Sequence, residues 1–276
     1  MNDGWLRALG LAGLRTRLRG HAREAWSGLE STASRLGAGA VLPSGNSRRI
    51  AQLRGRHAGR RCFVLGNGPS LQISDLDRLR NEVCFGHNKI YLAFDQTAWR
   101  PTYYNVEDYR VIDQNRDTIN RLRGFQKILF RYKPGTWEKD DSTIEYDLYL
   151  PDAPERPDFS DNPFWGIYCG WSVCYSSMQW AYFMGCTEIY LLGMDFHFVV
   201  PNVNEKDEII SEGERNHFSA NYRSKGEIWV TPRLDRQEKC FAFGRDWLAQ
   251  RGVRVFNATR GGKLEVFPRV NFDSLL

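Results

Sequence analysis

Several signatures of familiar chemistry are missing from this chain. No Cys-x-x-Cys pair occurs among its six cysteines, and Cys62, Cys84, Cys174 and Cys186 sit inside apolar runs. A disulfide framework and a zinc site therefore give way to reduced, mostly buried thiols. No apolar run reaches the roughly 18 residues of a membrane-spanning helix, and the N-terminus lacks the continuous apolar core of a signal peptide. A Gly-x-Ser-x-Gly elbow for a serine nucleophile is absent, as is the lysine of a P-loop. His197 and His217 stand too far apart in sequence to be a local metal-ligand pair. Lysine is missing altogether from residues 1–61.

In that segment arginine takes its place. Residues 1–61 carry 12 Arg against Asp3, Glu24 and Glu30, a surplus of nine positive charges, while the remainder holds 26 basic and 30 acidic residues, a deficit of four. The formal +5 of the chain is thus a mildly acidic body behind a basic arm, and a basic groove for nucleic acid is not supported. In the arm, from Trp5 to Leu36, Leu11, Leu14, Leu18, Ala22, Trp26 and Leu29 recur at helical spacing with arginines between them. Such a helix either lies on an anionic membrane surface, at the inner face of the cytoplasmic membrane, or packs on the body or a second copy of the chain. Gly37 to Ser47 reads as a linker. This divides the chain into an arm and linker over 1–60 and a folded body over 61–276.

With 42% hydrophobic and 26% charged residues the body has an ordinary globular composition, not a disordered one. Short apolar runs predict strands at Cys62–Leu65, Glu82–Phe85, Thr102–Val106, Lys127–Tyr132, Thr143–Leu150, Glu188–Leu192 and Val253–Phe256. Helical spacing predicts helices after Ser74, over Trp171–Met184 with a stop at Gly185, and over Phe241–Gln250. Strands alternating with helices predict an α/β fold: a mainly parallel sheet with helices on both faces. Residues 134–165 and 199–235 are irregular and long enough to be lids over a site.

Ligands of open parallel sheets bind beyond the carboxyl ends of the strands. Five predicted strand ends carry small, amide or carboxylate residues: Gly66-Asn67-Gly68-Pro69-Ser70, Gly86-His87-Asn88, Asn105-Val106-Glu107-Asp108, Gly193-Met194-Asp195 and Asn257-Ala258-Thr259. Together they predict a polar ligand site on one rim. In the first loop Gly66 and Gly68 would bring the backbone close to a ligand, and its N–H groups with the following helix start would suit a phosphate. The dinucleotide pattern Gly-x-Gly-x-x-Gly fails at Leu71. Asp75-Leu76-Asp77 fits helix capping better than metal binding, so no metal and no cofactor are expected.

From Gly66-Asn67-Gly68-Pro69-Ser70-Leu71 onward, the chain resembles a family. Phe85-Gly86-His87-Asn88, Tyr103-Tyr104-Asn105, the stretch from Gly170-Trp171-Ser172-Val173 to Gly193-Met194-Asp195-Phe196, Asn216-His217-Phe218, and the tail from Asn257-Ala258-Thr259 to Phe267-Pro268 follow in order. They are similar to the bacterial CMP-sialic acid-dependent sialyltransferases of the Campylobacter type and the related MptE-like glycosyltransferase domains, over roughly residues 61–270. The resemblance implies a Rossmann-like, metal-independent, inverting transferase using a CMP-activated nonulosonic acid. Its partners would be the CMP-sugar donor and a glycan or glycoprotein acceptor, with a homo-oligomer compatible.

On that resemblance Asn67 and Ser70 would contact the nucleotide phosphate and ribose, Asn88 and Asn105 the CMP-sugar, and Gly170 and Ser172 the cytidine. The family's catalytic His aligns with Asn221, which cannot take a proton, so His217 or Asp108 would act as base. Tyr168 lies near the tyrosines that steady the departing phosphate. His217 has a suitable ordinary pKa or else satisfies a loop backbone; Arg223 would meet an anionic group or lie on solvated surface, and Asp195 would orient the site or cap the next turn. Two other readings share the first-loop motif or the pocket: an MptE-type pterin pyrophosphokinase using ATP and Mg²⁺, and a non-catalytic nucleotide-sugar-binding protein.

Overall fold

A computed structural model describes residues 45–150, 157–201, 203–204 and 208–276. The expected arm helix and its membrane or packing role lie outside the described residues. The first described element, α1 (Gly45–Leu53), begins inside the stretch expected to be linker. Its Ile50 and Leu53 are buried in the core. The Asn46 amide pairs both ways with the Glu145 backbone, donating to its carbonyl at 2.8 Å and accepting from its N–H at 2.9 Å. Two apolar residues among arginines gave too short a pattern to signal this helix, yet they fasten it to the sheet edge. The body thus starts well before Arg61.

Seven strands form one parallel sheet: β1 (Arg61–Leu65), β2 (Val83–His87), β3 (Tyr103–Asn105), β4 (Gln126–Phe130), β5 (Thr143–Tyr146), β8 (Glu188–Leu192) and β11 (Arg254–Asn257), in the order β11-β8-β1-β2-β3-β4-β5. Four consecutive residues of β1, β4 and β8 are buried, as expected of strands covered on both faces. The chain winds outward from β1 to β5, then returns to the other side of β1 as β8. That reversal places a topological switch point between β1 and β8, where ligands of such sheets sit. The fold is the expected Rossmann-like α/β sheet with helices.

The flanking helices are α2 (Ile73–Arg78), α3 (Tyr109–Arg121), α4 (Val173–Phe183) and α5 (Leu234–Ala249). Helix α4 is buried along nearly its whole length, including Ser176, Ser177 and Gln179. It ends at Gly185, whose φ of 83° suits a glycine stop. The expected strand over 143–150 divides. Thr143–Tyr146 joins the sheet, while β6 (Leu148–Tyr149) leaves it to pair in parallel with β7 (Ile167–Tyr168). A hairpin of β9 (Glu208–Ile210) and β10 (Ile228–Val230) forms the centre of the lid. All six cysteines are buried and free, and none of the described helices is long and apolar enough to cross a membrane.

Candidate functional site

A cleft of about 820 Å³ opens over the carboxyl ends of β1, β2, β3 and β8 and runs under the lid. The fifth strand end expected on this rim does not reach it. The Asn257 amide donates to the Leu264 carbonyl at 2.8 Å, and the Thr259 hydroxyl accepts from the Met194 N–H at 3.0 Å. Thr259 thus secures the turn after β8, and Asn257 holds the loop that carries Thr259.

The glycine loop after β1 is a joint more than a cradle. A Cβ at Gly66 would stand 2.3 Å from the Gly193 carbonyl oxygen, and one at Gly68 1.9 Å from an Asp195 carboxylate oxygen. These glycines thus let the β1 and β8 loops meet. The glycine N–H groups and the Ser70 donors of the loop are also spent. The Gly66 and Gly68 N–H groups bond Leu192 and Gly193 carbonyls at 2.7 and 2.9 Å. The Asp195 carboxylate accepts from the Ser70 N–H at 3.2 Å and from its hydroxyl at 2.8 Å. An internal carboxylate therefore occupies the place expected for a phosphate, and Ser70 is turned to Asp195 instead of the cleft. Helix α2 is answered as well: Asp75 accepts from the Gln72 N–H at 3.3 Å and from Arg260 at 2.5 and 3.0 Å. Asp77 bonds Thr97 and Arg80, so the Asp75-Leu76-Asp77 triplet is structural, as capping predicted.

The rim from β2 to β3 is different. The Asn67 amide donates to the His87 carbonyl at 2.9 Å and to the Tyr222 hydroxyl at 3.0 Å. A carbonyl only accepts, so this fixes the amide's orientation and leaves Asn67 Oδ1 inward with no partner. Asn67 thus offers an acceptor, suited to a ligand hydroxyl or amino group and not to a phosphate. Asn88 Oδ1 is likewise buried without a partner. Among the described residues three non-glycine residues have left-handed backbones, Asn88 (φ 47°), Trp171 (61°) and Phe196 (53°), and all three line the cleft. For Trp and Phe that conformation costs on the order of 1 kcal/mol or more, and its confinement to one cleft marks the place where strain is tolerated.

Glu107 lines the same cleft and is 8% exposed. The Asn105 amide donates to the Tyr146 hydroxyl at 3.1 Å, and that hydroxyl donates to Glu107 Oε1 at 2.5 Å. Burial raises the Glu107 carboxyl to about 7, against the opposing hydrogen bonds of Ser176, Tyr146 and Asn105. A carboxyl poised there can exchange a proton near neutrality. Asn105, expected on the donor sugar, is instead 2% exposed and serves this chain of hydrogen bonds. Asp108 also lines the cleft, but its carboxylate caps α3, accepting from Arg110 and Val111 N–H groups at 2.9 and 3.2 Å.

The lid is held down by charge. Lys89, itself buried, bonds Glu227 at 2.8 Å and the Tyr222 carbonyl at 2.9 Å, and Arg110 pairs with Glu208. His217 lies flat on Tyr222, with ring centroids 3.7 Å apart. Burial, Arg223 and Lys89 lower it to about 3, which corrects the expectation of an ordinary histidine. It is neutral at physiological pH and a weak base in the unliganded cleft. His87 is lowered to about 4 by burial. It is structural: its Nδ1 donates to the Leu65 carbonyl at 2.6 Å and its Nε2 accepts from Ser177 at 2.8 Å.

The cleft therefore gathers Gly66, Asn67, Gly68, Asn88, Asp108, Ser172, Asp195, His217 and Arg223 from the sequence expectations. Ser172 also caps α4 through the Cys174 N–H at 3.3 Å. Tyr168, Gly170 and Asn221 lie outside the lining. The Tyr168 backbone is tied to the Gln179 amide at 3.0 and 2.8 Å, Gly170 makes room for the Tyr175 ring, and Asn221 is exposed, its N–H on Ser219. Glu107, Tyr146, Trp171, Trp229 and Arg236 were not singled out. Glu107 stood beside Asp108 in the sequence, but its burial depends on α4, which is distant in the chain.

No family model matches the chain, and no curated protein does. Among solved structures it is similar to a MAf glycosyltransferase from Magnetospirillum magneticum AMB-1, at 16% identity and a TM-score of 0.46, covering 84% of this chain and 39% of that one. The chain thus spans about two fifths of that protein's length.

Proposed function

We propose that this chain is an inverting glycosyltransferase that uses a CMP-activated nonulosonic acid to modify a bacterial surface glycan or glycoprotein. The observation that carries the reading is the pairing, in one cleft at the switch point, of unanswered acceptors with a proton-accepting carboxyl. Asn67 and Asn88 offer buried oxygens to hydroxyl or amino groups of a nucleotide sugar. Glu107, held by Tyr146, takes the role first assigned to His217 or Asp108. An acceptor hydroxyl gives its proton to Glu107 as its oxygen attacks the anomeric carbon. The bond from that carbon to the phosphate oxygen breaks, and CMP leaves with the electron pair. His217 serves as a flat neutral wall.

Thermal melting with CMP, UDP, GDP and ATP, each with Mg²⁺ or EDTA, tests this. Binding to the folded state alone raises the melting temperature, so CMP should stabilise the protein equally in EDTA. A shift with ATP and Mg²⁺ but none with CMP would replace the reading by the pterin pyrophosphokinase.

A further inference from the structure

Both tryptophans that line the cleft carry an arginine on the face of the ring. The Arg223 guanidinium carbon lies 4.5 Å from the centroid of Trp229, and that of Arg236 lies 4.5 Å from the centroid of Trp171. All four residues line the cleft. Other arginines of the body meet carboxylates, among them Arg61, Arg78, Arg110, Arg260 and Arg269. Arg223 and Arg236 meet none among the described residues, and Arg223 Nε is buried with no acceptor. Stacking on indole fixes a guanidinium plane and leaves its N–H edge free. That edge matches a phosphate or carboxylate with two parallel hydrogen bonds, and little further side-chain freedom is lost when the anion arrives. The rest of the site points the same way. The β1 loop, where a phosphate was expected, is already filled by the Asp195 carboxylate. Trp229 is anchored in the lid hairpin at 1% exposure, and Trp171 is held in a left-handed backbone, φ 61°.

We infer that Arg223 and Arg236, each preset on its tryptophan, form the oxyanion-binding wall of the cleft and take the phosphate or carboxylate of the donor on the lid and α5 in place of the glycine loop. The inference deepens the glycosyltransferase reading and rests on it for the identity of the ligand.

Calorimetry on the full chain with CMP, cytidine, free N-acetylneuraminate and pyrophosphate, for the wild type, R223Q and R236Q, tests it. The wild type should bind CMP more tightly than cytidine, and each variant should lose about tenfold or more in affinity for CMP or for N-acetylneuraminate, the loss expected for a charge-assisted hydrogen bond, with cytidine unchanged. Selective loss of N-acetylneuraminate binding in one variant would assign that arginine to the carboxylate, and selective loss of CMP binding would assign it to the phosphate. R223K and R236K keep the charge without the planar fork and should fall between wild type and Gln; they serve if a Gln variant melts early without ligand. Wild-type affinity for CMP, pyrophosphate and N-acetylneuraminate in both Gln variants overturns the wall. Pyrophosphate binding that needs the two arginines, with no CMP binding by the wild type, keeps the wall and removes the nucleotide reading.

Discussion

Two regions of the same cleft rim have opposite characters. Where the β1 and β8 loops meet, every prominent group except the Asn67 side-chain oxygen has an internal partner. Gly66 and Gly68 touch the neighbouring loop, Ser70 and Asp195 bond each other, and Asp75 holds Arg260. From β2 and β3 across to the lid, groups are left unanswered. Asn67 and Asn88 have buried oxygens with no partner, Arg223 a buried Nε without one, and Glu107 a carboxyl held near neutrality. Two of the left-handed non-glycine residues, Asn88 and Trp171, lie away from the joint, and the third, Phe196, follows Asp195 in it. The difference teaches that the glycines and the serine most conspicuous in the motif build the joint. The groups that folding left incompletely satisfied are the ones the proposed chemistry would use.

The largest effect should come from the joint. Gly66→Ala places a Cβ 2.3 Å from a backbone oxygen that no side-chain rotation can move. A stability loss of about 3 kcal/mol is expected in urea denaturation, at the upper end for overpacking. A loss below about 1 kcal/mol would dissolve the distinction between the two regions.

Next comes Glu107. Its carboxyl is raised from 4.5 to about 7, so between those pH values the unfolded chain releases a proton that the folded chain keeps. Wild-type stability should therefore fall as pH rises through this window, by about 3 kcal/mol in all, with the loss complete above pH 7. Glu107→Gln lacks this dependence, so its stability relative to wild type should rise by that amount between pH 4 and 8. Turnover of a CMP-sugar should drop by about a hundredfold or more, as expected for removal of a general base. Parallel pH-stability curves for the two proteins would refute the raised carboxyl.

Asn88→Gly should give the smallest change in stability, within about 0.5 kcal/mol, because relief of the left-handed backbone offsets the greater freedom of glycine when unfolded. Its CMP affinity should nevertheless fall by about fivefold, the worth of one neutral hydrogen bond. Weaker folding with unchanged affinity would move Asn88 into the joint.

Much of this molecule was legible before folding was considered. Runs such as Cys62–Leu65 and Glu188–Leu192 announce buried parallel strands, because a strand covered on both faces has no polar alternation to show. Small and amide residues after β1, β2, β3 and β8 coincide with the strand ends over which the cleft opens. The β11 end misled because its Asn and Thr serve neighbouring backbone, and asparagine has the same composition signal whether it caps a turn or meets a ligand. His217 misled for a related reason. Its residue type promised an ordinary base, but Arg223, Lys89 and burial lower it.

Sequence by itself determined the α/β class, most of the strands, the charge of the basic arm and the polar character of the strand ends, since periodicity, composition and turn chemistry are local properties. Only the tertiary structure decided which polar groups on that rim remain available. Partner choice depends on contacts between distant segments: Asp195 on Ser70, Tyr146 on Glu107 and Trp171 under Arg236. A side chain's donors, acceptors and protonation follow from what surrounds it in space, and those surroundings exist only once the sheet has closed and the lid has docked.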